Sequence, residues 1–460
     1  MIGAFVIVVA AASATTVAAF NEVNQVVGAL CNGGCLNLQR DTLATADAGK
    51  PQTILVLGSD KRAKTARDAG GGARSDTMIL VRLDPSKKAI AMLSLPRDLK
   101  VHIPGHGTQK LNAAYEEGGT ELTTKTIKEF TGLSINHVVN VDFRGFREAV
   151  DSIGCVYADI DRRYFNNNMN SGDQYATINI QPGYQKLCGQ NALDFVRFRH
   201  LDNDIVRAAR QQDFLRQAKQ QVGVGKIVAD RRKLTRAFGR YTKSDIRSKA
   251  AVLRLLKLVV ASANHPIREV HFQGQIGASY VTASSASVRK LTRDFLGVKD
   301  TSGPRGSTSR GKRPRGVVVD TSGAGRDQAQ QLANQGLHGL PIFYPRRGTP
   351  TSRFVGPPRM YKICTSRHKC FKSYRIVVSR QLIGEYYGLQ GTAWKDAPIL
   401  RSPSETKKVK GRQYELHYDG DRLRLVAWRT KSGVYWVSNT LLQTLSTRQM
   451  MAIATTARAL

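Results

Sequence analysis

The sequence predicts a layered α/β (α+β) domain, in which a central β-sheet is flanked by helices, followed by a small α/β unit and a C-terminal β-rich domain. Between residues 53 and 297, short apolar runs that end in charged residues alternate with helical patterns, as expected for such a layered core. Between residues 354 and 460, short alternating runs rich in Tyr, Val and Trp surround an Asp-Gly turn, which indicates β-hairpins. A chain of 460 residues with 41% hydrophobic content has room for two or three such domains.

The first 20 residues are uncharged, and residues 2–20 are about long enough to cross a bilayer as one helix. We predict a transmembrane anchor or a cleavable signal for residues 1–20, since small residues near Ala18 also resemble a cleavage site. A buried core helix is the third interpretation. Both leading interpretations export the rest of the chain, which starts with a polar spacer at residues 21–52.

The elements of the first domain, residues 53–297, follow from the periodicity of the apolar residues. Apolar runs closed by polar residues predict buried strands at TILVLGSD, TMILVRLD, AIAMLSLPRD and HVVNVDF, which are residues 53–60, 77–84, 89–98 and 137–143. Helical spacing predicts helices at 121–131, 143–153, 204–221 and 248–263.

A change of composition marks the end of that domain. We predict a flexible linker at residues 298–316, because Gly, Ser, Pro and Arg dominate residues 300–316 and no apolar residue lies between Asp300 and Val317. Residues 317–346 then predict a small βαβ-like α/β unit, with the order strand, Gly turn, helix and strand. The β-rich domain follows at residues 354–460.

Six cysteines fall into three neighbourhoods: Cys31 with Cys35, Cys155 with Cys188, and Cys364 with Cys370. An even number at close spacing is typical of disulfides formed outside the cytoplasm. Zinc is the competing interpretation, but the chain has neither the CxxC spacing of a zinc ribbon nor paired histidines beside these cysteines. We therefore favour disulfides, and the spacing leaves their pairing open.

The charge is strongly unbalanced. Seventy Lys and Arg against 35 Asp and Glu give a net charge of +35. Residues 301–375 alone contain fifteen Lys or Arg and only two acidic residues. Such a surface attracts polyanions, and nucleic acid, anionic lipid, teichoic-type polymer and pyrophosphate all fit. A DNA-binding regulator is disfavoured, because the sequence shows no helix-turn-helix signature and its N-terminus predicts export.

Three clusters of arginine and aspartate stand at or beside the ends of the predicted strands. They are Asp60 with Arg62, Arg74 with Asp76, and Arg97 with Asp98. A single pair of this kind is usually a surface ion pair without a function. Three pairs at consecutive strands predict a ligand site, since ligands of α/β sheets bind at strand ends.

A fourth cluster lies in VRFRHLDNDIVRAARQQ. On an extended chain Arg197 and Arg199 share one face, and Asp204 is a good residue to begin and cap the helix that follows. On that helix the spacing puts three polar side chains together: Arg207, Arg210 and Gln211. A solvated basic helix is the alternative interpretation. However, the arginines of the extended segment share one face, and so do those of the helical segment. This arrangement predicts an anion-binding site.

This inventory suits the cleavage of a phosphoanhydride. Guanidinium groups bind phosphate oxygens in bidentate fashion, and two carboxylates are a typical protein contribution to Mg²⁺. Phosphoryl transfer needs positioning and charge neutralisation more than covalent help from the protein. A nucleoside triphosphatase, a GxSxG hydrolase and an HExxH zinc enzyme are disfavoured, because their motifs are absent from the sequence.

Six motifs in succession resemble the LytR–CpsA–Psr family from about Thr53 to Gln221, with a similar continuation to about Gly297. They are ILVLGSDKR, RSDTMILVRLD, MLSLPRDLKVHIPG, KLNAAYEEGG, VDFRGFREAVDSIG and VRFRHLDNDIVRAARQQDFL. The resemblance implies a single-pass membrane protein with extracytoplasmic domains, which transfers a glycopolymer from a polyprenyl-pyrophosphate carrier to peptidoglycan. Some members of the family also show pyrophosphatase activity. A non-catalytic, basic protein that binds cell-wall polyanions is the alternative function.

The resemblance also implies roles for individual residues. It assigns Mg²⁺, or Mn²⁺ in its place, to Asp60 and Asp76. It assigns catalytic roles to Asp76, Arg97 and Asp98, of which Asp98 orients or deprotonates the acceptor hydroxyl. It assigns pyrophosphate binding to eight residues: Arg62, Arg74, Arg97, Arg197, Arg199, Arg207, Arg210 and Gln211. The implied partners are the polyprenyl-pyrophosphate-linked glycan, peptidoglycan and the membrane, without nucleic acid.

Departures from the family pattern are few. Cys155 stands where a Gly is common and Cys188 where an acidic residue is common, and their joint appearance suggests that they are bonded to each other. Val206 stands where a Gly is usual. Residues 317–346 weakly resemble the small C-terminal domain that often follows the family's first domain.

Overall fold

The computed structural model describes residues 35–45, 47, 49–60, 74–169, 177–198, 202–222, 241–262, 265–277, 279–297, 317–366, 368–380 and 383–460. These residues form two compact units. Unit 1 draws its residues from Met1–Cys155, Cys188–Leu193 and Val222–Thr301. Unit 2 draws its residues from Val156–Leu187, Asp194–Gln221 and Ser302–Leu460.

The secondary structure alternates in the first half of the chain and becomes strand-rich in the second. The described helices are α1 Ala113–Thr131, α2 Phe143–Ser152, α3 Gly189–Arg197, α4 Asp204–Gln221, α5 Lys249–Ser262, α6 Ser285–Gly297, α7 Ser322–Asn334 and α8 Thr447–Thr456. The strands up to residue 282 are β1 Gln52–Asp60, β2 Arg74–Asp84, β3 Ala89–Leu95, β4 Lys100–Ile103, β5 Gly107–Lys110, β6 His137–Asp142, β7 Val156–Ile160, β8 Tyr164–Asn166, β9 Ile178–Ile180, β10 Gly183–Leu187, β11 Thr242–Ser244, β12 Ile267–Val270, β13 Gln275–Ile276 and β14 Val281–Thr282. The later strands are β15 Val319–Asp320, β16 Phe343–Tyr344, β17 Arg347–Gly348, β18 Arg353–Phe354, β19 Arg359–Cys364, β20 Cys370–Ser379, β21 Tyr386–Thr392, β22 Glu405–Val409, β23 Arg412–Asp419, β24 Arg422–Arg429, β25 Val434–Ser438 and β26 Arg458–Ala459.

Unit 1 is built on a six-stranded mixed sheet in the order β11-β6-β1-β2-β3-β12. Strands β1, β3, β6 and β12 run in one direction, whereas β2 and β11 run in the other. Because four strands share a direction, their C-terminal ends meet at one edge of the sheet, together with the start of β2. The predicted central sheet with flanking helices is confirmed.

The core of unit 1 lies on the sheet face covered by α1 and α6. Strand β3 is buried at every position, as its uninterrupted apolar sequence predicts. Leu55, Leu80 and Leu93 pack there with Ile127 of α1 and Phe295 of α6. Helices α2 and α5 also contact strands of this sheet.

Helix α1 is longer than its predicted span of 121–131 and contains a kink. Gly118 has φ −146° and Gly119 has φ +60°, values that interrupt the regular helix. Glycine tolerates the positive φ without steric cost, so the two glycines of EEGG join two helical segments at an angle. The periodicity of residues 121–131 therefore reported only the second segment.

Unit 2 contains a larger sheet in the order β18-β20-β21-β25-β24-β23-β22, with β19 paired to β20. Its pairings are antiparallel, and the predicted Asp-Gly turn joins β23 to β24, with Gly420 at φ +59°. One face of the sheet carries a core around Trp428 and Tyr435, which includes residues of α7 and α8. A second core on the same sheet contains Tyr184 and Trp436.

Residues 317–346 contain the predicted order of strand, helix and strand. The strands do not pair with each other, however: β15 pairs with β17 and β16 pairs with β26, both antiparallel. The segment is thus not a parallel βαβ crossover. Its residues Leu332 and Phe343 belong to the same hydrophobic core as Trp428 of the β-rich region.

Two disulfide bonds confirm the interpretation of the cysteines. Cys155 is bonded to Cys188, and Cys364 is bonded to Cys370. Cys31 lies outside the described residues, as do residues 2–20 of the predicted anchor or signal. Among the described helices, none is both long and apolar enough to span a membrane.

Candidate functional site

The edge of the unit 1 sheet where β1, β3, β6 and β12 end brings the strand-end clusters together. Asp60 is the last residue of β1, and Arg74, the first residue of β2, lies directly opposite it in the register. Asp76 follows two residues later on β2, and Arg97 with Asp98 comes directly after Pro96, which follows the end of β3. We call these five residues the strand-end cluster. Arg62 lies outside the described residues.

A β-bulge sets the backbone of this cluster. Gly58 pairs with Thr77 and Ser59 pairs with Ser75, so Asp76 is an extra residue on β2 without an opposite partner. A Cβ atom on Gly58 would lie 3.0 Å from the Cβ of Thr77, which favours glycine at this close approach. Bulges are common next to active sites, where they change the direction of a side chain.

Asp60 and Asp76 are the residues of this cluster that could hold a divalent cation. They lie on adjacent strands, beside the bulge. Carboxylate oxygens are the donors that Mg²⁺ prefers, so the chemistry of these two residue types is compatible with Mg²⁺.

A layer of neutral hydrogen bonds supports the bulge from inside. The buried Ser59 donates to Oδ1 of Asn140 at 2.8 Å, and Nδ2 of Asn140 donates to the hydroxyl of Tyr115 at 2.5 Å. The hydroxyl of Ser75, which is fully buried, lies 3.3 Å from the carbonyl of Gly58. None of these residues was predicted from the sequence, although the serines precede the aspartates in GSD and RSD and Tyr115 belongs to KLNAAYEEGG.

Asp98 lies between two cations. Nζ of Lys110 is 3.0 Å from Oδ1 of Asp98, and Nε of Arg97 is 3.6 Å from Oδ2. The side chains of Arg97 and Asp98 are 19% and 24% exposed, so the group is accessible from solvent. Lys110 was missed by the sequence analysis, although it begins the quoted motif KLNAAYEEGG.

Lys110 also belongs to a cationic pair on a small hairpin. It lies opposite Lys100 in the register of β4 and β5. The ammonium groups of Lys100 and Lys110 lie 5.6 and 5.9 Å from the ring centroid of Tyr280, distances at which a cation–π attraction offsets part of their mutual repulsion. Asp98 is tied to the residues near Tyr280, because its carbonyl accepts a hydrogen bond from the backbone of Val281 at 2.9 Å.

Two arginines of the fourth cluster, Arg207 and Arg210, lie on helix α4 in unit 2. The helix begins at Asp204, as predicted, but its cap is the preceding residue: Oδ1 of Asn203 accepts a hydrogen bond from the backbone of Val206 at 3.0 Å. The carboxylate of Asp204 instead forms an ion pair with Arg207 one turn later. Both side chains are buried.

Arg210 is completely buried. One terminal nitrogen pairs with Asp202, and the other donates to the carbonyl of Phe198 at 2.5 Å. Its guanidinium lies 4.9 Å from the ring centroid of Tyr164. Gln211 is buried beside it and donates to the carbonyl of Val196 at 3.2 Å.

A second buried arginine shares the carboxylate of Asp202. Arg162 pairs with Asp202 at 2.8 Å and lies 4.6 Å from the centroid of Tyr164 and 5.3 Å from that of Tyr386. The hydroxyl of Tyr164 donates to Asp161 at 2.6 Å. Burial raises the pKa of Asp161 to about 6, and the nearby Arg162 opposes this shift.

The expectation that Arg197 and Arg199 lie on an extended chain is wrong for Arg197. Arg197 is the last residue of helix α3. Residues 192–196 are all buried, so burial here does not alternate as it would along a strand with one exposed face. Arg199 lies outside the described residues.

Comparison with known proteins gives consistent matches to this region. The sequence model of the LytR_cpsA_psr family matches residues 10–294. The polyisoprenyl-teichoic acid–peptidoglycan teichoic acid transferase TagT of Bacillus subtilis (strain 168) is 35% identical over 170 residues, which cover 37% of this chain and 52% of TagT. TagV, a transferase of the same description from the same strain, is 33% identical over 200 residues, which cover 42% of this chain and 49% of TagV.

The chain thus spans about half the length of these curated relatives. Among solved structures, the crystal structure of B. subtilis TagV is 25% identical. The match covers 54% of this chain and 97% of that chain, with a TM-score of 0.44.

Proposed function

Since the chain belongs to the LytR–CpsA–Psr family, we propose that it is a phosphotransferase, which moves a glycopolymer phosphate from a polyprenyl-pyrophosphate carrier to a hydroxyl group of peptidoglycan. The observation that carries the proposal is the strand-end cluster, in which two aspartates and two arginines share one edge of the unit 1 sheet with Asp98. The names of TagT and TagV, both teichoic acid transferases that act on peptidoglycan, support the same reaction class.

The reaction exchanges one phosphorus–oxygen bond for another. The oxygen of the acceptor hydroxyl attacks the phosphorus on the glycan side, the anhydride bond breaks, and polyprenyl phosphate leaves with the electron pair. Arg74 and Arg97 would bind the phosphate oxygens and neutralise the charge that develops on the leaving group. When water replaces the sugar hydroxyl, the same arrangement hydrolyses the anhydride, which would account for pyrophosphatase activity.

Asp98 is suited to orienting the acceptor. Its Oδ1 lies 3.0 Å from Nζ of Lys110 and its Oδ2 lies 3.6 Å from Nε of Arg97, and these two contacts orient the carboxylate, which can accept a hydrogen bond from a hydroxyl. It would align the acceptor oxygen and take its proton as the new bond forms. We also propose a role in pyrophosphate binding for residues of unit 2, namely Arg197, Arg207, Arg210 and Gln211.

Asp60 and Asp76 would hold Mg²⁺, or Mn²⁺ in its place. When bound, the ion supplies positive charge that screens the diphosphate and stabilises the departing phosphate. We also assign residues 1–20 to the membrane anchor, which would keep the described units outside the cell and near the lipid carrier.

A transfer assay on the purified full chain tests the proposal. Polyprenyl-pyrophosphate-linked disaccharide would be incubated with peptidoglycan fragments, with and without Mg²⁺, and both the transferred phosphate and released polyprenyl phosphate would be quantified. We expect Asp76→Asn and Arg97→Ala to lower turnover by about 100- to 1,000-fold, the usual cost of losing one electrostatic group in the site.

The control is Arg289→Ala, which removes an exposed arginine of α6 and should leave turnover unchanged. Full turnover in both purified site variants would exclude the assigned catalytic roles. Binding of the polymer without any product, in the unaltered protein with Mg²⁺, would instead favour the non-catalytic wall-binding function.

A further inference from the structure

Unit 2 carries a half-buried group of aromatic rings at one end of its large sheet. We call Tyr157, Phe371 and Trp394 the aromatic cluster. The rings of Phe371 and Trp394 are nearly parallel, at 6°, with centroids 5.8 Å apart. Tyr157 meets Trp394 edge to face, at 71° and 5.0 Å. Parallel rings at that separation are offset rather than eclipsed, so each keeps part of a face uncovered.

The cluster forms the outer layer of a solid aromatic core. Tyr184 and Trp436 beneath it are fully buried, and they contact each other edge to face at 5.5 Å. The ring centroids of Tyr184 and Trp394 lie 6.3 Å apart. The hydroxyl of Tyr157 donates to the carbonyl of Cys364 at 2.8 Å, which fixes that ring. The three outer rings are therefore held in place while remaining partly accessible.

Cations flank these rings. The β19–β20 hairpin is closed by the Cys364–Cys370 disulfide, and residues 359–375 contain six Lys or Arg and no acid. Nζ of Lys369 lies 5.3 Å from the centroid of Phe371, and the exposed Lys395 directly follows Trp394. Arg375 is used internally, because it is buried and pairs with Asp159 at 3.1 Å.

Rings and cations together match a charged sugar polymer. A hexose ring packs its C–H groups against an aromatic face, as other apolar groups do, while ammonium groups attract phosphate. Single-stranded nucleic acid also stacks on aromatic rings. The two disulfides favour an oxidising compartment outside the cytoplasm, however, where anionic polysaccharides are the polyanions at hand.

We propose that the aromatic cluster, with Lys369 and Lys395, binds a phosphate-bearing polysaccharide. Sugar rings stack on Trp394 and Phe371, and the phosphates meet the two lysines. This surface shares no residue with the strand-end cluster, and its proposed function does not depend on the proposed transferase activity. It gives the strongly basic β-rich region of the chain a function of its own.

The chain contains a probe for this surface. Of its three tryptophans, Trp428 and Trp436 are fully buried, whereas Trp394 is half-buried. The full chain would be titrated with phosphomannan, with neutral mannan and with linear polyphosphate, while tryptophan emission and its quenching by acrylamide are followed. We expect phosphomannan to bind most tightly and to protect Trp394 from the quencher, mannan to protect it only weakly, and polyphosphate to leave it accessible.

Two kinds of variant separate stacking from charge. Trp394→Ala and Phe371→Ala should each weaken phosphomannan binding by about tenfold, as for a truncated aromatic anchor, measured by calorimetry because the first variant lacks the probe. The Lys369→Ser, Lys395→Ser double variant should weaken phosphomannan binding while leaving the weak mannan binding unchanged.

The matched controls lie elsewhere in unit 2. Phe165→Ala removes an exposed phenyl ring outside the cluster, and Lys407→Ser with Lys408→Ser removes two exposed lysines from β22. Both should keep full affinity. Thermal unfolding would establish that each variant is folded. If Trp394→Ala is unstable, Phe371→Ala alone still tests the stacking contribution.

Equal affinity for polyphosphate and phosphomannan, with no loss in either aromatic variant, would overturn the proposal and leave only a general basic surface. Tighter binding of single-stranded DNA than of phosphomannan, with protection of Trp394, would overturn it in favour of nucleic acid. Asp76→Asn should bind phosphomannan as the unaltered chain does. The two proposals fail separately: full transfer by Asp76→Asn would contradict only the proposed transferase site, whereas full phosphomannan binding by Trp394→Ala and Phe371→Ala would contradict only the proposed binding surface.

Discussion

The strand-end cluster of unit 1 and the arginines of α4 in unit 2 contain the same residue types in different surroundings. The side chains of Arg97 and Asp98 are 19% and 24% exposed, and Nε of Arg97 lies 3.6 Å from Oδ2 of Asp98. The Arg210 side chain is 0% exposed and its partner Asp202 only 1%. In sequence both are an arginine near an aspartate, but water can reach only the first pair.

That difference determines what each arginine contributes to stability. An exposed ion pair adds about 0–1 kcal/mol, because water solvates either partner when the other is removed. A buried pair behaves otherwise, since removal of one partner leaves an uncompensated charge in the protein interior. Arg210, with its bonds to Asp202 and Phe198, is therefore a structural residue of unit 2, whatever contact it makes with a ligand.

The largest expected effect breaks the buried pair. Arg210→Met should lower the free energy of unfolding by about 3–5 kcal/mol, because Asp202 then keeps only Arg162 as a cationic partner among the described residues and the Phe198 carbonyl loses this donor. Urea denaturation followed by tryptophan emission measures this, since all three tryptophans belong to unit 2.

Arg97→Met is the paired variant and should change the free energy of unfolding by less than about 1 kcal/mol. Near-equal stability of the Arg210→Met variant and the unaltered chain would contradict the structural role of the buried pair. A strong destabilisation by Arg97→Met would likewise remove the contrast between the two regions.

The same contrast explains which features the sequence could predict. Strands β1, β3 and β6 were predictable because each is an apolar run closed by polar residues, a local property. The bulge at Asp76 was not, because RSDT has the same composition in a regular strand, and the extra residue is apparent only from the pairing of Ser59 with Ser75.

Burial of the arginines also depended on distant residues. Arg210 is enclosed by the ring of Tyr164, which is 46 positions away in the chain, as well as by neighbouring residues. The sequence placed Arg210 on one helical face but could not show what covers that face. The helical state of Arg197 was missed for a similar reason, since the buried side of α3 is defined by tertiary packing.

A pH-dependent stability is the second expected effect, and it arises in the buried region. Asp161 has a folded-state pKa of about 6 against an ordinary value of 3.8, and its buried Oδ2 has no hydrogen-bond partner among the described residues. Between these two values the folded protein binds more protons than the unfolded chain. The contribution of the protonated Asp161 to the free energy of unfolding is therefore present below about pH 4 and is lost as the pH rises to about 6.

Across this pH window the free energy of unfolding should fall by about 2–3 kcal/mol, because the pKa differs by about two units and each unit corresponds to about 1.36 kcal/mol. Asp161→Asn still accepts the hydrogen bond from Tyr164 and cannot ionise. Relative to the unaltered chain, this variant should become more stable as the pH is raised from 4.5 to 7, when both are followed by urea denaturation. A constant difference across that range would mean that Asp161 titrates at its ordinary value.

The smallest expected effect returns to the exposed region and concerns Lys110. Because its ammonium orients Asp98, Lys110→Met should lower kcat/KM of the proposed transfer by about tenfold, which corresponds to about 1.4 kcal/mol. The free energy of unfolding should change by less than about 1 kcal/mol, because Lys110 is 40% exposed. Lys100→Met is the matched control: it removes a lysine on the paired strand over the same Tyr280 ring, and Lys100 forms no ion pair with a carboxylate in the described part of the chain. Equal loss of activity in both variants would assign the effect to the general positive charge at this hairpin, whereas a loss confined to Lys110→Met and restored in Lys110→Arg would place Lys110 in the positioning of Asp98.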